Sequence, residues 1–313
     1  MYYPYLRGKQ YELLLLRDKA DFIAENNIHP ILEPVKSNFS SLRRALRSLI
    51  VNKTNFVFII NPMVGELKSQ ANSCNELIEE ELHGYRNYSI GLIVNESSNV
   101  ENIKEMVQRY SQNNIALIHY GFENGRVLAE NISGLTNIKE HVFVNRFSGR
   151  LYQRHFLQSD AKKIIIRDGF IMKKNADYPI SEHFSELHII YKLDGMDAFG
   201  DYLIVGDEYR EKGGPAYAVA IHLTYLDSDD DMFVYHFKSD QNASPVDPAG
   251  KFDEALNKLV DTANDPNTVI LKTKAVDEFR ALHKNQHFPG LGKVKQISLQ
   301  HHIELIADYL TRE

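Results

Sequence analysis

Carboxylates follow several short apolar runs of the chain, and these residue types suit acid–base or metal chemistry. Glu33 follows "PIL", Asp168 follows "IIIR", and Asp207 and Glu208 follow "LIVG". Paired carboxylates act as general acids and bases or bind a hard cation such as Mg²⁺. We take Glu33, Asp207 and Glu208 as candidate catalytic residues. The sequence leaves the cofactor open, with Mg²⁺ as the candidate.

Basic and amide side chains also lie at the ends of apolar runs. Arginine binds phosphate or carboxylate groups with two parallel hydrogen bonds, and lysine contributes a point charge. The candidate ligand-binding residues of this group are Arg7, Lys9, Lys36, Asn61, Asn95, His119, Arg146, Arg167 and Asp168. This mixture predicts a site for a small anionic ligand, phosphate-bearing or nucleotide-like. Local ion pairing is the alternative explanation for the same charges.

Two histidines lie in alternating segments that predict a β-hairpin. Residues 216–226 and 232–238 alternate between apolar and small or polar side chains, and an acidic turn, "DSDDD", separates them. If the turn is centred on Asp229, His222 faces His236. Both histidines are candidate ligand-binding residues, because small neighbours would leave room for a ligand, a metal or a docked segment. A solvated polar face is the alternative.

Eight apolar runs of seven to nine residues alternate with amphipathic segments. Continuous apolar runs are typical of strands buried on both faces. The runs cover residues 2–8, 28–35, 55–62, 88–95, 114–121, 141–147, 162–169 and 200–208. Strands that alternate with helices predict an α/β fold, and eight such units predict a (β/α)8 barrel of the TIM type. The first run lacks the GxGxxG turn expected of an open dinucleotide-binding sheet.

These elements predict one barrel domain over residues 1–313. Residues 1–210 would form the eight βα units, residues 211–240 an added antiparallel hairpin, and residues 241–313 a C-terminal helical extension that packs on the barrel. The segment 178–193 is predicted to be helical. In such a barrel the carboxyl ends of the strands form one mouth, where the candidate residues would meet. We expect the glycine-containing loop 209–216 to cover that mouth.

The turn after the first strand carries a lysine with two interpretations. Gly8 lets the chain turn from strand to helix, and Lys9 would project beside the N-terminus of that helix. There it could hold an anionic group. Alternatively, Lys9 and Glu12 form a surface pair three residues apart.

The overall composition excludes some classes of partner. The formal net charge of −6 over 313 residues argues against a broad nucleic-acid surface. No apolar run approaches the roughly 20 residues that a membrane helix needs. The single cysteine, Cys74, allows no internal disulfide and fits a reducing compartment, so we expect a cytoplasmic protein.

Three motifs resemble a known family along nearly the whole chain. "MYYPYLRGKQYELLLLRD", "HPILEPV" and "GDYLIVGDEY…GGPAYAVAIHLTY" are similar to the beta-protein family of tailed phages and its bacterial relatives. The resemblance implies a TIM-barrel-like body, a bacterial or phage origin, and a role in phage–host conflict or defence. It also implies a neighbouring nuclease-like protein as a partner in some members. It names no reaction.

Two functions remain open at this stage. The protein is either an enzyme, hydrolytic or otherwise, that acts on an anionic ligand at the barrel mouth, or a non-catalytic protein. In the second case it would be a sensor, immunity or scaffold protein that docks a partner through the hairpin edge.

Overall fold

The computed structural model describes residues 1–69, 71–211 and 213–312. The chain divides into two compact units. Unit 1 comprises residues 1–167 and 190–201, and unit 2 comprises residues 168–189 and 202–313. Lys212, which belongs to the predicted lid 209–216, lies outside the described residues.

Unit 1 contains eight parallel strands that lie side by side in chain order. These strands are β1 (Tyr5–Leu6), β2 (Ile31–Leu32), β3 (Phe56–Ile59), β4 (Tyr88–Asn95), β5 (Asn114–Tyr120), β6 (Ile138–Val144), β7 (Lys162–Ile166) and β9 (Ala198–Gly200). The strand between the last two, β8 (Ser181–Ser185), belongs to unit 2. The first seven strands fall within or overlap the predicted apolar runs.

The eighth strand closes the sheet on the first. The Tyr3 N–H donates to the Phe199 carbonyl at 2.8 Å, and the Tyr5 N–H donates to the Asp201 carbonyl at 2.8 Å. Tyr2 and Phe199 form a parallel bridge. Unit 1 is therefore a (β/α)8 barrel, and the predicted fold class is confirmed.

Helices separate most of the barrel strands. They are α1 (Gln10–Asp18), α2 (Ala20–Glu25), α3 (Ser40–Val51), α4 (Ala71–Glu81), α5 (Val100–Arg109), α6 (Gly125–Ile132) and α7 (Arg150–Gln153). In the longer helices apolar residues recur at helical spacing, so that one face is buried. In α3, for example, Leu42, Leu46 and Leu49 are buried.

The predicted eighth strand, residues 200–208, is wrong in position. The strand ends at Gly200, and Leu203–Val205 form a 3₁₀ turn. Leu203 adopts a left-handed backbone conformation with φ of 51°. The apolar run of residues 202–204 is buried without being a strand. Asp207 and Glu208 therefore do not lie at the end of a barrel strand.

Unit 2 contains a three-stranded antiparallel sheet in which β11 is the central strand. Its outer strands are β10 (Ala220–Leu226) and β8, and β11 covers Met232–Lys238. The predicted hairpin register is confirmed, since His222 faces His236 and Thr224 faces Val234. The predicted helix at 178–193 is wrong over residues 181–185, which pair with β11 instead.

Three helices cover one face of this sheet. They are α9 (Pro248–Asn264), α10 (Lys274–Lys284) and α11 (Leu291–Arg312), and the short helix α8 (Leu187–Ile190) follows β8. Ile221, Leu223 and Phe237 from the sheet share a core with Phe252 and Phe279 from the helices. Val219 of the segment before β10 also belongs to this core, and Tyr235 packs against it. Among the described residues, no helix has both the length and the apolarity needed to cross a bilayer.

Candidate functional site

Glu33 joins the carboxyl ends of three neighbouring barrel segments. Its side chain is 2% exposed and follows β2. The Tyr5 hydroxyl donates to Glu33 Oε2 at 2.9 Å, and the Met63 N–H donates to Glu33 Oε1 at 2.8 Å. Because both oxygens accept hydrogen bonds, this buried carboxylate has a fixed orientation.

Arg7 lies beside this carboxylate at the end of β1. Its Nε is 3.6 Å from Glu33 Oε2, and its guanidinium carbon is 5.8 Å from the centroid of the Tyr5 ring. Arg7 is 8% exposed. Glu33 and Tyr5 therefore lie against a desolvated positive charge.

The turn between β1 and α1 is organised by Glu12. This buried carboxylate accepts hydrogen bonds from the Arg7 N–H at 2.7 Å and from the Lys9 N–H at 3.4 Å. Gly8 adopts φ of 55°, and a side chain there would lie 3.2 Å from the Glu33 carbonyl oxygen. Glu12 thus caps backbone groups at this helix start, which neither interpretation of Lys9 anticipated.

Asn61 and Asn95 hold neighbouring barrel ends together. Asn61 Nδ2 donates to the Ile93 carbonyl, and Asn61 Oδ1 accepts from the Ile93 N–H, both at 2.8 Å. Asn95 Oδ1 accepts a hydrogen bond from the Ser97 N–H at 3.0 Å. Both amides therefore organise the strand ends of unit 1.

The remaining predicted cations of the barrel occupy separate environments. Lys36 donates to Glu66 at 2.8 Å in an exposed ion pair, which lowers the pKa of Glu66 to about 2. Arg146 is exposed and lies 5.4 Å above the Phe147 ring. The Arg167 N–H donates to the Gly200 carbonyl at 3.0 Å, and its side chain is partly buried. Arg7 and Glu33, by contrast, form a buried charged pair.

His119 lies in an aromatic cluster between the strands and α7. Its Nδ1 is 2.7 Å from the Tyr152 hydroxyl, and its Nε2 is 3.0 Å from His141 Nδ1. The His119 ring centroid is 4.6 Å from that of Phe156 and 4.8 Å from that of Phe143. Burial, and then the charge of His141, lower the pKa of His119 well below its usual value. His119 is thus a neutral residue of the strand–helix layer.

The hairpin histidines of unit 2 belong to a chain of four hydrogen-bonded side chains. His222 Nδ1 and His236 Nδ1 are 2.6 Å apart, and His236 Nε2 is 3.1 Å from Glu182 Oε1. Lys173 Nζ donates to Glu182 Oε2 at 2.5 Å. The Tyr178 ring stacks on His236 with centroids 4.4 Å apart. Side chains of unit 2 therefore fill the space beside the histidines that was predicted to hold a ligand, a metal or a docked segment.

The carboxylate acceptor at Glu182 determines which ring nitrogens of the two histidines carry protons. The Glu182 carboxylate accepts, so the His236 Nε2–H donates to it, and a neutral His236 then has its lone pair on Nδ1. His222 must donate from its own Nδ1–H, which leaves a lone pair on His222 Nε2. Burial lowers the pKa of His222 to about 3 and that of His236 to about 4, so both rings are neutral.

The three acidic residues near the predicted eighth strand lie in unit 2. Asp168 accepts hydrogen bonds from the Phe170 N–H at 3.0 Å and from the Asp207 N–H at 2.8 Å. Glu208 is exposed and accepts a hydrogen bond from Arg210 at 2.9 Å, which lowers the pKa of Glu208. Asp168 therefore fixes a turn, and Glu208 forms a surface pair.

Sequence reasoning missed Lys173, Tyr178 and Glu182, which complete the hairpin cluster. Tyr178 and Glu182 lie in the segment 178–193 that was predicted to be helical, and Lys173 lies in a stretch for which no element was predicted. The signal that could have located Glu182 is the alternation of "SEHFS", which is typical of a strand with one polar face.

Comparisons with known proteins identify no family. No protein-family model matches the chain, and neither does any curated protein. One solved structure that matches is the enoyl reductase domain of MlnA from the macrolactin biosynthesis cluster of Bacillus amyloliquefaciens. The match has 7% sequence identity and a TM-score of 0.27, and it covers 99% of this chain and 81% of the other.

Proposed function

We propose that unit 1 binds a small anionic ligand, phosphate-bearing or nucleotide-like, at the carboxyl ends of its barrel strands. The observation that supports this proposal is the buried guanidinium of Arg7, which Glu33 and Tyr5 orient at the end of β1. Ligand sites of (β/α)8 barrels lie at this end. A desolvated arginine interacts with an anion more strongly than an exposed one, because the local dielectric constant is low.

Glu33 is a positioning residue in this proposal. Hydrogen bonds from Tyr5 and Met63 fix the orientation of both of its oxygens, and Arg7 lies beside one of them. A carboxylate held in this way fixes the position of the neighbouring guanidinium. We therefore propose anion binding as the function of this site.

The binding test compares three variants by isothermal titration calorimetry with inorganic phosphate, pyrophosphate and ATP. We expect saturable binding by the wild type and a loss of about tenfold or more in Arg7→Gln, equivalent to about 1.4 kcal/mol. Arg7→Lys should also bind more weakly, because lysine lacks the planar fork. Arg126→Gln is the matched control, since Arg126 forms only an exposed pair with Glu130. Equal affinity in the wild type and Arg7→Gln, or no saturable binding at all, would contradict the proposal.

A second candidate function is acid–base catalysis by unit 2. The specific observation is the hydrogen-bonded chain from Lys173 through Glu182 and His236 to His222. A carboxylate that orients a histidine is a recurring arrangement in general base catalysis. Here the orientation would pass through a second histidine, from Glu182 through His236 to His222.

For the alternative of a non-catalytic docking protein, the order of the strands limits which edge of the sheet a partner could pair with. β11 is the central strand, so β8 covers the edge that the isolated hairpin would have presented. On β10, the Thr224 carbonyl accepts a hydrogen bond from His301 Nε2 at 2.8 Å. Strand addition by a partner protein would therefore have to use the remainder of β10.

The family resemblance adds a biological context to the proposal, namely phage–host conflict or defence. The corresponding test is plaque formation by tailed phages on cells that express the wild-type chain or Arg7→Gln. A defence role that depends on the anion site predicts protection by the wild type alone. Equal protection by both chains would separate defence from anion binding.

A further inference from the structure

The amino-terminal ends of the barrel strands surround a cavity of about 320 Å³. Phe56, Tyr88, Asn114 and Lys162 line it at the starts of β3, β4, β5 and β7, and Glu140 of β6 lies beside them. We propose that this cavity is a second ligand site, which takes a small oxyanion such as a phosphate or a carboxylate. Its volume is at the lower end of the roughly 300–1,000 Å³ typical of small-molecule pockets.

Glu140 is a buried acid with an unused hydrogen-bonding atom. The side chain is 8% exposed, and the Tyr3 hydroxyl donates to its Oε1 at 2.9 Å. Within the described residues, Oε2 is buried and makes no hydrogen bond of acceptable geometry, although the Ser89 hydroxyl lies nearby. A buried polar atom without a partner is unfavourable, so an incoming ligand atom that pairs with it gains free energy.

Burial raises the pKa of Glu140, against the opposing effects of Ser89, Tyr3 and Lys162. Burial therefore disfavours the charged form of this acid. A protonated carboxyl group has an O–H that donates a hydrogen bond, whereas a carboxylate only accepts. In the proposed complex, Glu140 takes up a proton and donates to an oxygen of the bound anion.

The charge of the cavity wall favours an anion. Arg86, Lys139 and Lys162 line the cavity, and in the part of the chain that the structure describes none of them forms an ion pair. Burial, and then the charge of Lys162, lower the pKa of His29, which also lines the cavity, to about 4. Arg86, Lys139 and Lys162 therefore provide the positive charge of the wall. An oxyanion would therefore meet positive charge and a hydrogen-bond donor together.

This site is separate from the one proposed at Arg7. Arg7 and Glu33 follow β1 and β2, whereas the cavity residues lie before their strands or within the first three residues of them. The two ends of parallel strands face opposite ways in a barrel. The second site therefore does not depend on the proposed function.

Phosphate titrations of paired variants test the second site. Calorimetry of Arg7→Gln with inorganic phosphate measures the second site alone, and calorimetry of Lys162→Gln measures the site at Arg7 alone. We expect Arg7→Gln to retain a saturable site, and the added change Lys162→Gln to weaken it by about tenfold or more. Lys272→Gln, in the same Arg7→Gln background, is the charge-matched control because Lys272 is exposed and lies in unit 2.

Two substitutions of Glu140 in the Arg7→Gln background separate a ligand contact from a structural role. Glu140→Gln retains a donor, so we expect phosphate affinity within about threefold of its parent. Glu140→Ala removes the donor and should weaken binding by about tenfold or more. The inference is overturned if Arg7→Gln binds no phosphate, if Lys162→Gln has no effect, or if Glu140→Gln loses as much affinity as Glu140→Ala. If Lys162→Gln binds phosphate and Arg7→Gln does not, the binding belongs to the site at Arg7 and the second site is absent.

Discussion

The close approach of His222 Nδ1 and His236 Nδ1, at 2.6 Å, constrains both residues. Two protonated nitrogens cannot face each other at this distance, so only one Nδ1 carries a proton. Glu182 decides which one, because it accepts from His236 Nε2. A carboxylate on β8 thereby sets the tautomer of a histidine on β10, with β11 between them.

The predicted tautomers can be measured by ¹⁵N NMR of the imidazole rings. At pH 5 we expect His222 to be neutral with its proton on Nδ1, and His236 to be neutral with its proton on Nε2. Glu182→Ala removes the acceptor, so each ring should populate both tautomers, with a loss of about 1–3 kcal/mol in unfolding free energy. Glu186→Gln is the control, since Glu186 contacts His183 rather than the pair. Signals of two imidazolium rings at pH 5 in the wild type would contradict this assignment.

The polar residues that complete the clusters could not be predicted from the sequence. Glu182 and His236 are 54 residues apart, and Tyr3 and Glu140 are 137 residues apart. A buried acid is stable only with partners such as these, and their proximity arises from strand pairing. The Arg7–Glu33 pair was predictable because both residues follow apolar runs that were identified as adjacent parallel strands.

At the scale of secondary-structure elements, the barrel strands were predictable and the strands of polar character were not. Seven predicted runs contain or overlap strands, since burial on both faces requires continuous apolar residues. The apolar residues 202–204 are buried in and beside the 3₁₀ turn Leu203–Val205, and not in a strand, so the predicted eighth strand was misplaced. β8 is polar and is held by pairing with β11, so its local pattern is weak.

Closure of the barrel depends on a glycine in β9. A side chain at Gly200 would place its Cβ 1.9 Å from the Tyr3 carbonyl oxygen and 2.6 Å from Ile166 Cδ1. The backbone at this point is held by the hydrogen bond from Tyr3 N–H to Phe199. Gly200 therefore allows the first and eighth strands to approach each other.

We expect Gly200→Ala to destabilise the protein by about 3 kcal/mol or more, because the backbone at Tyr3, just before β1, would have to move. Gly149→Ala is the matched control in the same unit, since nothing lies within 4 Å of its Cβ position. That change should alter the unfolding free energy by no more than about 0.5 kcal/mol. Guanidinium denaturation measures both variants, and an equal effect of the two would contradict this account of closure.

At the scale of the whole molecule, burial makes the stability depend on pH through histidine. Six histidines have pKa values lowered mainly by burial, and they occur in both units. They are His29, His119, His141, His222, His236 and His301. Between the unfolded value near 6.5 and the folded values near 4, the unfolded chain binds more protons than the folded protein. Acid therefore favours unfolding in this range.

Acidic residues do not reverse this effect between pH 7 and pH 5. The pKa values of Glu66 and Glu81 are lowered to about 2, so their contribution is lost only below their unfolded values near 4.5. The effect of Glu140 on the pH dependence of stability has the opposite sign, because its raised pKa makes the folded state bind the extra proton. Glu140 is one group, however, against six histidines. The histidines therefore dominate the slope in this window.

We expect the melting temperature to fall by roughly 10 °C or more between pH 7 and pH 5, since each buried histidine contributes on the order of 1.4 kcal/mol per pH unit. His301→Gln should make the dependence of unfolding free energy on pH shallower by about one proton. His301 is 0% exposed, with ring nitrogens bound to Thr273 and Thr224. The exposed His287 is the control, and His287→Gln should leave the slope unchanged. A melting temperature that is constant from pH 7 to pH 5 would mean that the buried rings are already charged in the folded state.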